Sequence, residues 1–140
     1  MNVERIEDVT EWKSLEGIED LQYSILHINE EQTRAEVLFK MEAHKPIILH
    51  RHCALNKIVV LSGQHHIYHA DGTLKEVRAT GSYTVSQPDI DPHSESGGEG
   101  GTVLLFSIFD NDGGPLYELM DADQNVVGTL SMSDLVELSK

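Results

Sequence analysis

Three histidines and an asparagine at regular spacing carry the chemistry of this sequence. His50-Arg51-His52 is followed by Asn56 four residues on, and by Gly63 seven residues after that. Side chains on a strand alternate faces with period two, so His50 and His52 point the same way. Asn56 has the same parity and can join that face, and Ile58 and Val60 continue it as an apolar wall. A neutral imidazole binds a metal ion without giving up a charge, which makes histidine the commonest ligand near neutral pH. A third ligand has to come from another strand, and His93 is the best candidate. Asn56 can reach such an ion through its carbonyl oxygen, more weakly than a carboxylate, or hydrogen-bond behind the ligands.

The remaining histidines divide. His65 shares parity with Ile67 and, by its place after Gly63, should face the sheet interior. There it can line a pocket as an acid–base group or be satisfied by a neighbour in the core. His66 and His69 read as solvated, and His27 and His44 sit in no pattern. Cys53 points away from His52 and reads as a small buried hydrophobe. Asp121-x-Asp123-x-Asn125 starts like a calcium loop, but Val126 stands where the glycine is required, so it reads as a turn.

The elements that must position these residues are strands. Thr33 to Met41 places Ala35, Val37, Phe39 and Met41 on one face and charged residues on the other, a half-buried strand. Leu21 to Ile28 reads as its partner. Ile47 to Leu61 holds the histidine strand or strands, and Gly63 is expected to turn the chain back as a hairpin. Gln64 to His69 and Leu74 to Arg78 flank Asp71-Gly72, a strong hairpin signal. Ser82 to Val85 is a further strand. Residues 94–101, SESGGEGG, read as a flexible polar loop. Thr102 to Phe109 reads as a fully buried central strand. Leu116 to Met120 and Val126 to Leu130 form a last hairpin, and Ser131 with Asp134 is a capping-box pattern opening a short helix. Near the N-terminus, Val3, Ile6 and Val9 are spaced as a helix, and a short helix or an arm docking through Trp12 is expected. Many short strands with turn signals between them mean an all-β sandwich or barrel.

Composition narrows the partners. A chain of 140 residues with net charge −14 is one domain by size. That charge repels nucleic acid and anionic membranes. Cys53 is the single cysteine, so no intramolecular disulfide or cysteine zinc site is expected, which suits the cytoplasm. No signal-peptide or membrane-spanning pattern is read.

With those residues in place, the chain resembles a small single-domain cupin over residues 1–140, an all-β double-stranded β-helix or jelly roll with short terminal helical segments. The first cupin motif is a His-x-His pair, three residues, an acidic residue, six residues and a glycine. Here it is His50-Arg51-His52, Cys53 to Leu55, Asn56, Lys57 to Ser62, and Gly63. The second motif matches at Gly81, Pro88 and His93, with Ile90 where a glycine is usual. The Trp12 region, the Leu-Ser-Gly turn and LYELMDADQNVVG are similar to the acetylacetone-dioxygenase-like and ChrR-like group. With Asn56 at the acidic position, the resemblance implies a site of three histidines and no carboxylate.

That resemblance implies one divalent ion per chain, with Fe(II) favoured and Zn(II), Ni(II) or Mn(II) as alternatives. Three neutral imidazoles leave the ion its full charge and open positions, suited to an anionic, bidentate oxygen ligand such as the enolate of a β-diketone. The expected function is a non-haem dioxygenase cleaving a β-dicarbonyl-like small molecule. The alternative is a non-catalytic metal-binding sensor or small-ligand-binding module, as ChrR-like cupins can be. No attached second domain is read, which counts against the sensor. A homodimer or larger assembly through exposed strands is expected.

Overall fold

Two long strands form the spine of the molecule, and they switch faces part-way along. The computed structural model describes residues 5–9 and 11–140, so Val3 of the helical spacing lies outside the described residues. In chain order the strands are β1 (Lys13–Leu15), β2 (Ile18–Ile28), β3 (Arg34–Met41), β4 (His50–His52), β5 (Asn56–His69), β6 (Leu74–Arg78), β7 (Tyr83–Ser86), β8 (His93–Phe109), β9 (Pro115–Met120) and β10 (Val126–Ser131). The helix α1 (Met132–Leu138) follows directly. Strand order is β1-β2-β3-β8-β4-β9-β10, with β5 paired to β8 on one edge and to β6 and β7 on the other. The pairs are antiparallel. This is the expected jelly roll.

Core and site lie on the inner face. β3 contributes Ala35, Val37 and Met41, the first half of β5 contributes Ile58 and Val60, and the second half of β8 contributes Leu104, Phe106 and Ile108. Each large apolar side chain so buried stabilises the fold by about 1.5–3 kcal/mol. Inward residues are even-numbered in the first half of β5 and the second half of β8. At the other ends they are odd-numbered: His65 and Ile67 on β5, His93 and Glu95 on β8. The register between the strands shifts at Val60/Ser62 and at Gly63/His65. Such bulges add a residue to one strand and so exchange its faces.

Three expectations are corrected here. Gly63 is not a hairpin turn; β5 runs through it to His69, and the chain turns at Asp71-Gly72. Gly63 has φ +70°, and a Cβ there would lie 2.1 Å from the Gly101 carbonyl oxygen. Residues 94–101 are not a loop but part of β8. A Cβ on Gly97 would sit 2.6 Å from Gly101 Cα and 2.8 Å from the Met41 oxygen. These glycines permit close backbone approach, a role that composition alone mimics as flexibility. Residues 102–109 alternate buried and half-buried rather than being fully buried.

At the N-terminus a 3-10 turn, Ile6–Asp8, precedes β1. Trp12 Nε1 donates to the Val9 oxygen at 3.2 Å, and the Lys40 ammonium sits 4.4 Å from the Trp12 ring centre. α1 opens on the expected capping box at Ser131 and Asp134. No helix among the described residues is long and apolar enough to cross a membrane.

Candidate metal centre

β4 turns His50 and His52 inward, both buried. His50 stands opposite His93 of β8, and His52 opposite Tyr117 of β9. On the outer face between them, Arg51 stands opposite Glu118 and donates to its Oε1 through Nε at 2.9 Å. That pair ties the histidine strand to β9. The His50 and His52 rings each lie 4.7 Å from the His93 ring, centre to centre. Two residues along β8, on the same face as His93, comes Glu95. One donor atom from each of His50, His52, His93 and Glu95 can be chosen so that all lie within 4.8 Å of one another.

Glu95 is the residue the sequence reading missed, and it corrects the three-histidine set to three histidines and a carboxylate. The signal was present: His93-x-Glu95 repeats the same-face spacing of His50-x-His52. Reading residues 94–101 as a loop hid it.

The hydrogen bonds show that this donor set fits a cation. His50 Nδ1 donates to the Ile48 oxygen at 2.8 Å. Its Nε2 therefore carries a lone pair when the ring is neutral, yet it lies 2.7 Å from Glu95 Oε2. Two such acceptors meet only across a proton or a metal ion. His93 Nε2 lies 3.4 Å from the same oxygen. His52 Nδ1 is engaged by Ser86 Oγ at 3.1 Å, and its buried Nε2 has no partner among the described residues. A buried polar atom left unpaired is costly, and a bound ion would satisfy it.

The electrostatics follow the same geometry. Burial pushes the Glu95 carboxyl up, but the hydrogen bonds from His50, His65 and His93 prevail and hold it well below its usual range. Burial pushes His50 down, and its bond to Glu95 with the charge beside it more than reverses this. His52 has no such partner; burial, with His50 adding to it, holds it well below its ordinary value.

Asn56 is fully buried but is committed elsewhere. Its Nδ2 donates to the Ala54 oxygen at 3.0 Å, and its Oδ1 accepts from the Tyr117 hydroxyl. It thus supports the wall beside the histidines as a hydrogen bonder. His65 faces inward as expected and is fully buried. It is absent from the cavity wall and meets the site through Glu95, with Nε2 2.6 Å from Oε1. His66 is half-buried and His69 exposed.

A cavity of about 60 Å³ opens at this cluster. His50, His52, Glu95 and Tyr117 form its polar end. The rest of the wall is almost wholly apolar side chains, including Val37, Phe39, Phe106, Leu15 of β1 and Leu135 and Leu138 of α1. Among the described residues no lysine or arginine lines it. Tyr117 is buried, and burial with the nearby Glu95 charge keeps its phenol protonated far above the usual range.

The model of the ChrR cupin-like domain matches residues 4–109. The chain belongs to that family. Solved structures agree on the fold of this cupin. An RmlC-like cupin from Ralstonia eutropha JMP134 is 13% identical, with a TM-score of 0.74 over 92% of this chain and 78% of that one. The acetylacetone dioxygenase from Acinetobacter johnsonii is 12% identical, with a TM-score of 0.68 over 98% of this chain and 91% of that one. A chain of the Rhodobacter sphaeroides complex of SigE with the anti-sigma ChrR is 20% identical, with a TM-score of 0.58. The similarity there spans 74% of this cupin and 51% of that chain. No curated protein matches the sequence.

Proposed function

We propose that this cupin is a mononuclear metal-dependent dioxygenase that cleaves a β-dicarbonyl-like small molecule. His50, His52, His93 and Glu95 would hold one divalent ion, Fe(II) first, with Zn(II), Ni(II) and Mn(II) as alternatives. The observation that carries this reading is the apolar cavity whose polar end carries His50, His52 and Glu95 of that cluster. When bound, a redox-active ion supplies Lewis acidity towards a chelating oxygen and reactivity with O2.

The chain's own residues set the rest. Three neutral imidazoles and one carboxylate leave a divalent ion with net charge of about +1, still attractive to an enolate. The apolar wall excludes water and strengthens every charge interaction within it. With no cationic side chain in that wall, a neutral substrate that becomes anionic at the site fits better than a carboxylic acid. Tyr117 holds its proton towards Asn56 and presents the cavity with an uncharged, weakly polar face. The similarity in fold to the acetylacetone dioxygenase agrees with this reading.

The test is O2 uptake by iron-loaded protein against a panel of β-dicarbonyls, with elemental analysis of the same sample. Uptake tied to loss of the dicarbonyl, absent in His52→Ala, is expected. No uptake with any member of the panel in protein that retains iron would sink the dioxygenase reading.

The similarity in fold to the anti-sigma ChrR supports a second reading, a non-catalytic metal-binding sensor or small-ligand-binding module. In that case zinc would be retained through purification and no substrate would be turned over. On either reading we expect a homodimer.

A further inference from the structure

Glu95 has two oxygens, and they face different neighbours. Oε2 faces His50 at 2.7 Å and His93 at 3.4 Å. Oε1 faces His65 at 2.6 Å. A carboxylate only accepts, so His65 Nε2 carries the proton and donates to Oε1. Among the described residues His65 Nδ1 is buried without a partner, and Glu95 is the only hydrogen-bonding neighbour of this ring. The ring itself is fully buried and stands on β5, opposite Gly97 in register. Its rotation is thereby restricted by packing.

The acidic position of the first motif is Asn56, whose amide is used at both ends. The carboxylate of the cluster comes instead from β8, and a histidine from β5 grips its far oxygen. We propose that His65 is the positioning residue for this relocated carboxylate: it presents Glu95 to the ion through Oε2 alone. Hydrogen bonds behind a metal ligand fix its orientation and raise its affinity for the ion. The proposal rests on the metal site in the reading above, and not on the dioxygenase activity.

The test uses Co(II), titrated into metal-free full-length protein and followed by its visible absorption, which reports ligand number and geometry. His65→Leu removes the donor and should weaken Co(II) binding about 10–100-fold and alter the spectrum. His65→Gln places an amide nitrogen where Nε2 stood and should restore both. In a Glu95→Ala background, His65→Leu should add no further loss, because the interaction is already gone. Wild-type affinity and spectrum in a folded His65→Leu protein would overturn the proposal. If that variant fails to fold, an altered spectrum in folded His65→Gln would overturn it. Wild-type protein that takes up no Co(II) would overturn the metal site itself, and with it this inference. Wild-type uptake with no O2 chemistry, and a shifted His65→Leu, would support the inference while removing the dioxygenase.

Discussion

The hydroxyl of Tyr117 donates to Oδ1 of Asn56 at 2.5 Å, beside the histidine cluster and out of reach of solvent. This bond explains an amide where the family motif has an acid. A carboxylate at position 56 would accept from Tyr117 but offer nothing to the Ala54 oxygen, and it would add a second negative charge near Glu95. Tyr117→Phe should leave Asn56 Oδ1 buried and unpaired, at a cost of about 1–3 kcal/mol. Thermal unfolding should show that loss while elemental analysis shows metal content unchanged. An unshifted midpoint would mean the bond does not hold the wall.

Metal-free protein should be most stable near pH 6.5. Neutral, buried His52 is held well below its unfolded value of 6.5. Its contribution is present above pH 6.5 and is lost as pH falls from there towards the lowered native value. Glu95 adds a second loss once pH falls below its unfolded value of 4.5 towards its own lowered value. His50 is raised above 6.5, so its contribution is full below pH 6.5 and is lost as pH rises through the raised value. Urea midpoints in chelator, taken across this range, check the shape. His52→Gln should flatten the limb just below pH 6.5 and leave the alkaline limb; a wild-type profile flat through pH 6.5 would refute the assignment.

Gly63 and Gly81 separate backbone strain from crowding. Both have positive φ, +70° and +89°. A Cβ on Gly81 meets open space, whereas one on Gly63 runs into the backbone of β8. Gly81→Ala should cost about 1–2 kcal/mol of left-handed strain. Gly63→Ala carries the same strain plus the overlap and should lose clearly more in urea. Equal losses would show that β5 and β8 can part there freely.

The outer edge of β6 and β7 is where two copies should meet. Among the described residues these strands pair only with β5, and Leu74, Val77, Tyr83 and Val85 are exposed on them. Lys75, Glu76 and Arg78 make this stretch locally cationic in a chain of net charge −14, so repulsion between copies is least there. Light scattering should give a dimeric mass at micromolar concentration, and Val85→Lys should reduce it to that of a monomer. A monomeric wild type sinks the expectation.

Most of the strand plan was legible because period-two burial leaves a direct trace, as in Ala35, Val37 and Met41. His50 and His52 were legible because same-face spacing on one strand is local; His93, on β8, was legible through the second cupin motif. Glu95 was not. Its place depends on glycines that look like flexibility in composition yet serve contact between β3, β5 and β8. Gly63 misled for the same reason: positive φ suits a turn and a bulge equally, and only the pairing partner decides. Tyr117 was beyond reach because its tie to Asn56 spans 61 residues of sequence and depends on β9 lying against β4.

The four candidate ligands are divided two and two: His50 and His52 on β4, His93 and Glu95 on β8. These strands share a single register pair, His50 opposite His93. An ion held by all four is a rivet across a nearly unstitched seam. Its binding free energy is lent to closing the barrel, in proportion to how far the ion exceeds its dissociation constant. Stripping the ion should therefore loosen the seam before the core. Amide exchange at residues 50–52 would quicken while Leu104 and Ile108 stay protected, and the affinity for metal would serve as a gauge of barrel closure.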